Sequence, residues 1–197
     1  MAQFIVVEGI DGCGKSTAAK ALTERLGENV VLTREPTDSW IGTAVRSGDK
    51  QCSSPYLDAL LFMADRAQHT LEIENWMDNG KIVVCDRYYH STVAYQTAYL
   101  KRMSLGDHFD WLLDANIRIS IHPDLTFLLR LNPELALERA GGRGDLSRFE
   151  NLEFLKDVHE NYQRLARLDN SIVQIDADRS PNDIAESLIG IIRERKL

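Results

Sequence analysis

The chain has 197 residues, 44% of them hydrophobic and 27% charged, and a formal net charge of −7. That length suits one domain with a full core, and the acidic balance argues against nucleic acid as a general partner. No apolar run approaches a membrane span, and three cysteines (Cys13, Cys52, Cys85) are too few and too scattered for a disulfide framework or a zinc site.

Phe4-Ile5-Val6-Val7 is a short apolar run, as expected of a buried parallel strand. The chain enters it with no signal-peptide pattern, so the expected location is cytoplasmic. Gly9-Ile10-Asp11-Gly12-Cys13-Gly14-Lys15-Ser16 then reads G-x-x-x-x-G-K-S, a phosphate-binding P-loop. Thr17 to Leu26 follows as a helix, with Ala18, Ala19, Ala21, Leu22 and Leu26 between charges. A strand before and a helix after give the motif its structural context. Gly9, Gly12 and Gly14 let the backbone approach a phosphate. The loop amides and the helix N-terminus, through Thr17, face the anion. Lys15 brings a point charge to the β- and γ-phosphates, and the Ser16 hydroxyl can ligate Mg²⁺.

Asn29 to Thr33 is a second predicted strand, ending in Arg34-Glu35-Pro36. Ligands gather at such strand ends, so Arg34 and Glu35 are site candidates; the competing reading is a surface ion pair in a turn. Ser39 to Gly48 reads as a short helix carrying Arg46, which can face solvent or an anion. Ser54-Pro55 opens a long helix to Asp78, with Leu57, Leu60, Leu61, Ala64, Ala67 and Leu71 at helical spacing. Phe62, Asp65, Arg66 and His69 share one face of it. Phe62 and Arg66 can stack on a planar base and bond its edge. Periodicity alone favours a core Phe62, an Asp65–Arg66 surface pair and a peripheral His69.

Ile82 to Cys85 is a third strand, delivering Asp86-Arg87-Tyr88 at its end. A carboxylate there, across from a P-loop, is placed to bind Mg²⁺ or a water on it, and Arg87 to clamp a phosphate. Ser91, Thr92, Tyr95 and Gln96 follow on a helix starting near Tyr89. Ser91 and Tyr95, one turn apart, can line a pocket wall; helix–sheet packing competes for Tyr95. Asp107 to Ile117 carries little message. Asp124 to Leu129 is a fourth strand, and Asn132-Pro133-Glu134 begins the next helix. Arg139 to Arg148 holds Arg139, Arg143 and Arg148 among three glycines, a pattern that favours a basic lid over a surface loop. Glu150 to Leu168 reads as a helix, Ser171 to Ile175 as a fifth strand, Asp176 to Pro181 as a turn and Asn182 to Leu197 as a helix. Five apolar strands between helices imply an α/β fold, a parallel sheet covered on both faces.

The chain resembles the thymidylate kinases, of the nucleoside monophosphate kinase superfamily, nearly end to end. The resemblance rests on Phe4–Asp11, Thr33-Arg34-Glu35-Pro36, Leu61–His69, Asp86-Arg87-Tyr88 and Pro123–Thr126, in that order and spacing. It implies a single domain over 1–197 with a mobile lid near 139–150, and transfer of the ATP γ-phosphoryl group to dTMP in dTTP synthesis. Mg²⁺ would accompany ATP, and the chain would form a homodimer through helices beside the pocket. Asp11 would contact the dTMP 3′-hydroxyl and help organise the metal. Phe62 would stack on thymine, Arg66 would bond its O4 edge, and Arg46 and Arg87 would hold the dTMP phosphate. Pro36, Ser91 and Thr92 would line the pocket, and Tyr95 would crowd the 2′ position. Arg139, Arg143 and Arg148 would close over ATP, and Asp178 would lie by the adenine. Gly12 stands where one arrangement of the family carries its assisting arginine, so the chain looks like the arrangement with that arginine in the lid. Two departures stand out: Gly141 where some relatives carry another Arg, and Arg130 where relatives often have Asp.

Overall fold

A computed structural model describes residues 3–48, 54–141 and 151–195. The sheet begins with β1 (Gln3–Glu8), in which all six residues are buried. Helix α1 (Lys15–Leu26) leads to β2 (Val30–Arg34), α2 (Trp40–Gly48) and α3 (Pro55–Asp78). Then come β3 (Ile82–Asp86), α4 (Tyr89–Arg102), α5 (Phe109–Arg118) and β4 (Leu125–Arg130). The chain continues through α6 (Pro133–Gly141), α7 (Leu152–Leu168), β5 (Ile172–Asp176) and α8 (Pro181–Glu194).

The five strands form one parallel sheet in the order β2-β3-β1-β4-β5, as the apolar runs led one to expect. The chain leaves β1 towards β2 and β3, then crosses back to β4 and β5. That reversal makes the C-terminal end of β1 a topological switch point, where open α/β sheets bind ligands. The register brings the tips level: Val7 and Arg34 both pair with Asp86, and Arg130 pairs with Asp176. The central strands are buried on both faces, with Phe4, Val83, Val84, Leu125 and Phe127 fully enclosed. Among the described residues, no helix is long and apolar enough to cross a membrane.

Helix starts follow the local chemistry. Asn151 caps α7 by accepting the Phe154 N–H at 2.8 Å, and Ser180 caps α8 through the Asp183 N–H at 3.2 Å. The stretch with little message contains α5. Helix α3 has its periodicity but turns the other way round from an ordinary amphipathic helix. Leu57, Leu60 and Leu71 are exposed, while Asp58, Asp65, Arg66 and His69 are buried.

Candidate active site

The P-loop runs from the tip of β1 into α1. Gly12 has φ +83°, and a Cβ there would lie 2.0 Å from the Ala136 carbonyl oxygen. Gly9 has φ +143°, and a Cβ would meet the Leu129 carbonyl oxygen at 2.5 Å. Both positions therefore demand glycine on two counts, backbone conformation and space. Ile10 is buried beneath the loop, and its carbonyl accepts from Lys15 Nζ at 2.8 Å. Lys15 Nζ also lies 3.9 Å from Asp11 Oδ1.

Asp11 is tied to the far side of the site. Its carboxylate accepts from Arg87 Nη2 and, at 2.8 Å, from the Tyr95 hydroxyl. Tyr95 in turn accepts the Asp11 N–H at 2.9 Å. Burial pushes the Asp11 carboxyl up, but Arg87 and Lys15 outweigh it and hold the pKa at about 2. Burial, reinforced by Asp11, raises the Tyr95 phenol well above its usual range, so it stays protonated and donating.

Arg87 follows the tip of β3 with φ +72°, left-handed for a side chain-bearing residue. Its N–H donates to the Val7 carbonyl at 3.0 Å and its own carbonyl accepts from Cys85 Sγ at 3.0 Å. Such a conformation costs free energy and persists where surroundings fix it, often at sites of function. It sends the guanidinium towards Asp11, with Nη1 donating to Ser91 Oγ at 2.9 Å. Beside it, Ser16 Oγ donates to Asp86 Oδ2 at 2.5 Å, and Asp86 Oδ1 is buried with no hydrogen-bond partner among the described residues. A hydroxyl and an under-used carboxylate side by side are donors of the hard-oxygen kind that Mg²⁺ takes.

Three cavities among the described residues reach this centre: the largest of the three, about 620 Å³, is lined by Ser16, Thr33, Arg34, Thr37, Asp38 and Asp86, and two smaller ones carry the predicted substrate residues. One, of about 430 Å³, is lined by Gly12, Cys13, Gly14, Thr17, Arg139, Arg179 and Pro181. Arg139 donates to Asp178 Oδ1 at 2.8 Å and to the Ala177 carbonyl at 3.1 Å, which ties α6 to the turn after β5. The other, of about 340 Å³, is lined by Ser16, Arg34, Glu35, Pro36, Arg46, Phe62, Asp86 and Arg87. Both are of small-ligand size. Arg46 is held at the second cavity by the Thr37 carbonyl at 2.7 Å and the Pro36 carbonyl at 3.2 Å.

Arg66 sits deeper than Phe62. It is 1% exposed, pairs with the buried Glu35, and donates to Asn116 Oδ1 and to Thr92 Oγ1 at 2.9 Å. The expected Asp65–Arg66 surface pair is not there. Asp65 is buried and accepts from the Thr37 N–H at 2.7 Å, the Thr37 hydroxyl at 2.6 Å and the Ser39 hydroxyl at 3.0 Å, which ties down the loop after β2. Nor is His69 peripheral: it is buried, 3.0 Å from Glu35 and 2.8 Å from Thr33 Oγ1. The Arg34–Glu35 dipeptide splits, with Arg34 exposed on Asp38 and Glu35 inside. Arg130 is exposed at its strand tip, near Gln174 at 3.4 Å. Arg143 and Arg148 lie outside the described residues. Asn116 and Tyr162 went unremarked in the sequence, and Glu8 appeared there only within the Phe4–Asp11 stretch, with no role of its own. Of these, Glu8 carried a signal, a charge closing an otherwise apolar strand.

A family model described as thymidylate kinase matches residues 7–188. The chain is 38% identical to a probable thymidylate kinase of Thermococcus gammatolerans, covering 100% of this chain and 99% of that one. It is 41% identical to one of Methanosarcina barkeri (98% and 96% covered) and 38% identical to one of Methanococcoides burtonii (96% and 96%). With the parallel sheet, the P-loop at its switch point and a match over nearly the whole length, the chain belongs to the thymidylate kinase family of nucleoside monophosphate kinases.

Proposed function

We propose that the chain transfers the γ-phosphoryl group of ATP to dTMP, with ATP seated on the P-loop side and dTMP in the cavity lined by Phe62, Pro36, Arg46 and Arg87. The observation that carries this is that one ligand-sized cavity is lined by the P-loop residues Gly12, Cys13 and Gly14, and a separate one by Pro36, Arg46, Phe62 and Arg87 together with Ser16 and Asp86. An oxygen of the dTMP phosphate attacks the γ-phosphorus. A new P–O bond forms to dTMP, the bond to the β-phosphate oxygen breaks, and dTDP and ADP result.

Such transfer needs alignment and positive charge more than covalent help. Lys15 neutralises charge on the ATP side. Arg46 and Arg87 hold the acceptor phosphate, and Asp11, fixed by Tyr95, sets the angle of Arg87. Phe62 offers a face for the base, with Arg66 and Thr92 behind it. Tyr95 stands against the sugar and Ser91 against Arg87. Ser16 and Asp86 would hold Mg²⁺, which would supply positive charge to the phosphates during transfer. On this reading residues 1–197 form one domain, and 139–150, with Arg143 and Arg148, act as its lid. The bulk that Gly12 excludes supports an assisting arginine outside the P-loop. A homodimer and a cytoplasmic location complete the reading.

Thermal unfolding with and without dTMP tests the acceptor pocket. A ligand near a hundred times its Kd stabilises by about 2.7 kcal/mol, a shift of several degrees. The expected result is a clear rise in Tm for wild type with dTMP, a rise with ATP in both proteins, and loss of the dTMP rise alone in Phe62→Ala. A dTMP shift that survives Phe62→Ala undiminished contradicts the assignment.

A further inference from the structure

Glu8 closes β1, immediately before the P-loop, and is fully buried. A buried carboxylate is costly unless it is hydrogen-bonded, and this one is saturated. Oε1 accepts the Tyr88 N–H at 2.7 Å and the Ser91 N–H at 3.1 Å. Oε2 accepts the Ser91 hydroxyl at 2.7 Å and the Tyr162 hydroxyl at 2.8 Å. Tyr88 is the N-cap of α4, and its own side chain makes no capping bond. Glu8 therefore supplies, from a neighbouring strand, the acceptor and the negative charge that a helix N-terminus favours.

Capping would occupy one oxygen. The other is engaged with two hydroxyls, and these lead elsewhere. Ser91 Oγ, donating to Glu8, accepts from Arg87 Nη1 at 2.9 Å. Tyr162, from α7, is 2.9 Å from the same Ser91 oxygen. Arg87 has a left-handed backbone and two polar anchors for its guanidinium, Asp11 and Ser91. One of those anchors is oriented by Glu8. Glu8 itself lines neither cavity.

We propose that Glu8 is a positioning residue for the acceptor side of the reaction. It sets the start of α4 and, through the Ser91 hydroxyl, the direction of the Arg87 guanidinium. The inference rests on the reading of Arg87 as a holder of the dTMP phosphate. Lys15 and the glycines of the loop are outside this chain of hydrogen bonds, so the effect should fall on one substrate.

The test is steady-state kinetics with both substrates varied, on full-length wild type, Glu8→Gln and Tyr162→Phe. Wild type must first show dTMP-dependent ADP formation; its failure there would overturn the substrate reading rather than the role of Glu8. Glu8→Gln keeps the shape and loses the charge and one acceptor. Its kcat/KM for dTMP is expected to fall about ten- to a hundredfold, the usual scale for supporting partners of a site, while KM for ATP moves less than about twofold. Tyr162→Phe should show the same asymmetry, more weakly, and provides the answer if Glu8→Gln does not fold. In a double-mutant cycle, Tyr162→Phe and Ser91→Ala should be non-additive on dTMP use. Unchanged dTMP kinetics in the folded variants, equal losses for ATP and dTMP, or strict additivity in the cycle would each overturn the proposal.

Discussion

Asp11 stands where the two sides of the site meet. It pairs with Arg87, lies 3.9 Å from Lys15, and shares two hydrogen bonds with Tyr95. Burial works against its charge, and the two cations prevail, taking its pKa from 3.8 to about 2. A carboxyl depressed in the folded state contributes stability in full above the unfolded value, and that contribution fades as pH falls through the folded one. The stability difference between wild type and Asp11→Asn, read by urea unfolding, should thus be flat near neutrality and close between about pH 4 and pH 2. A difference unchanged to pH 2 would contradict this account of the pair. Much of this residue-level chemistry was legible in the sequence, because Asp11, Lys15, Asp86 and Arg87 sit in or beside motifs at strand ends. Asp65, Arg66 and His69 were less so. Their spacing from Phe62, at i+3, i+4 and i+7, says they share a face with it, but not whether that face is wet or enclosed. Only the Glu35 carboxylate, brought in from the next strand end, reveals why an arginine and a histidine are buried there.

Among the elements, α3 is the one whose sequence misleads. Its leucines recur as in a core-facing helix, yet its buried face holds Asp58, Asp65, Arg66 and His69 while Leu57, Leu60 and Leu71 are exposed. The reason is that this helix supplies polar side chains to a site, and so has its apolar stripe left over. Trp40, on the neighbouring α2, is 81% exposed. An outward apolar stripe on a helix beside the pocket is the feature behind the proposed homodimer. Light scattering should give wild type twice the 22.3 kDa chain mass, and Leu60→Lys the mass of one chain with its far-UV spectrum kept. A wild type that runs as a single chain at micromolar concentration would remove the homodimer from the proposal.

At the scale of the whole molecule, the strands were the most readable feature. The inner strands β3, β1 and β4 are largely apolar and buried on both faces, while the edge strands β2 and β5 are only partly buried, with Leu32, Arg34, Gln174 and Asp176 exposed. Their order was not readable: crossover rules limit it, but only the three-dimensional pairing puts β1 between β3 and β4. That order decides function. It brings the tips of β1 and β3 together, so that Ser16 stands beside Asp86 and Asp11 beside Arg87, with one cavity at the P-loop glycines and another at Arg87. The claim that these cavities take two different nucleotides, and that a phosphoryl group passes between them, is tested most directly by the initial rate of ADP formation from ATP and Mg²⁺ with dTMP, dCMP or dGMP as acceptor. The rate with dTMP should stand far above that with either other nucleotide or with none. ADP formation that is indifferent to the acceptor, or absent with dTMP, would contradict it.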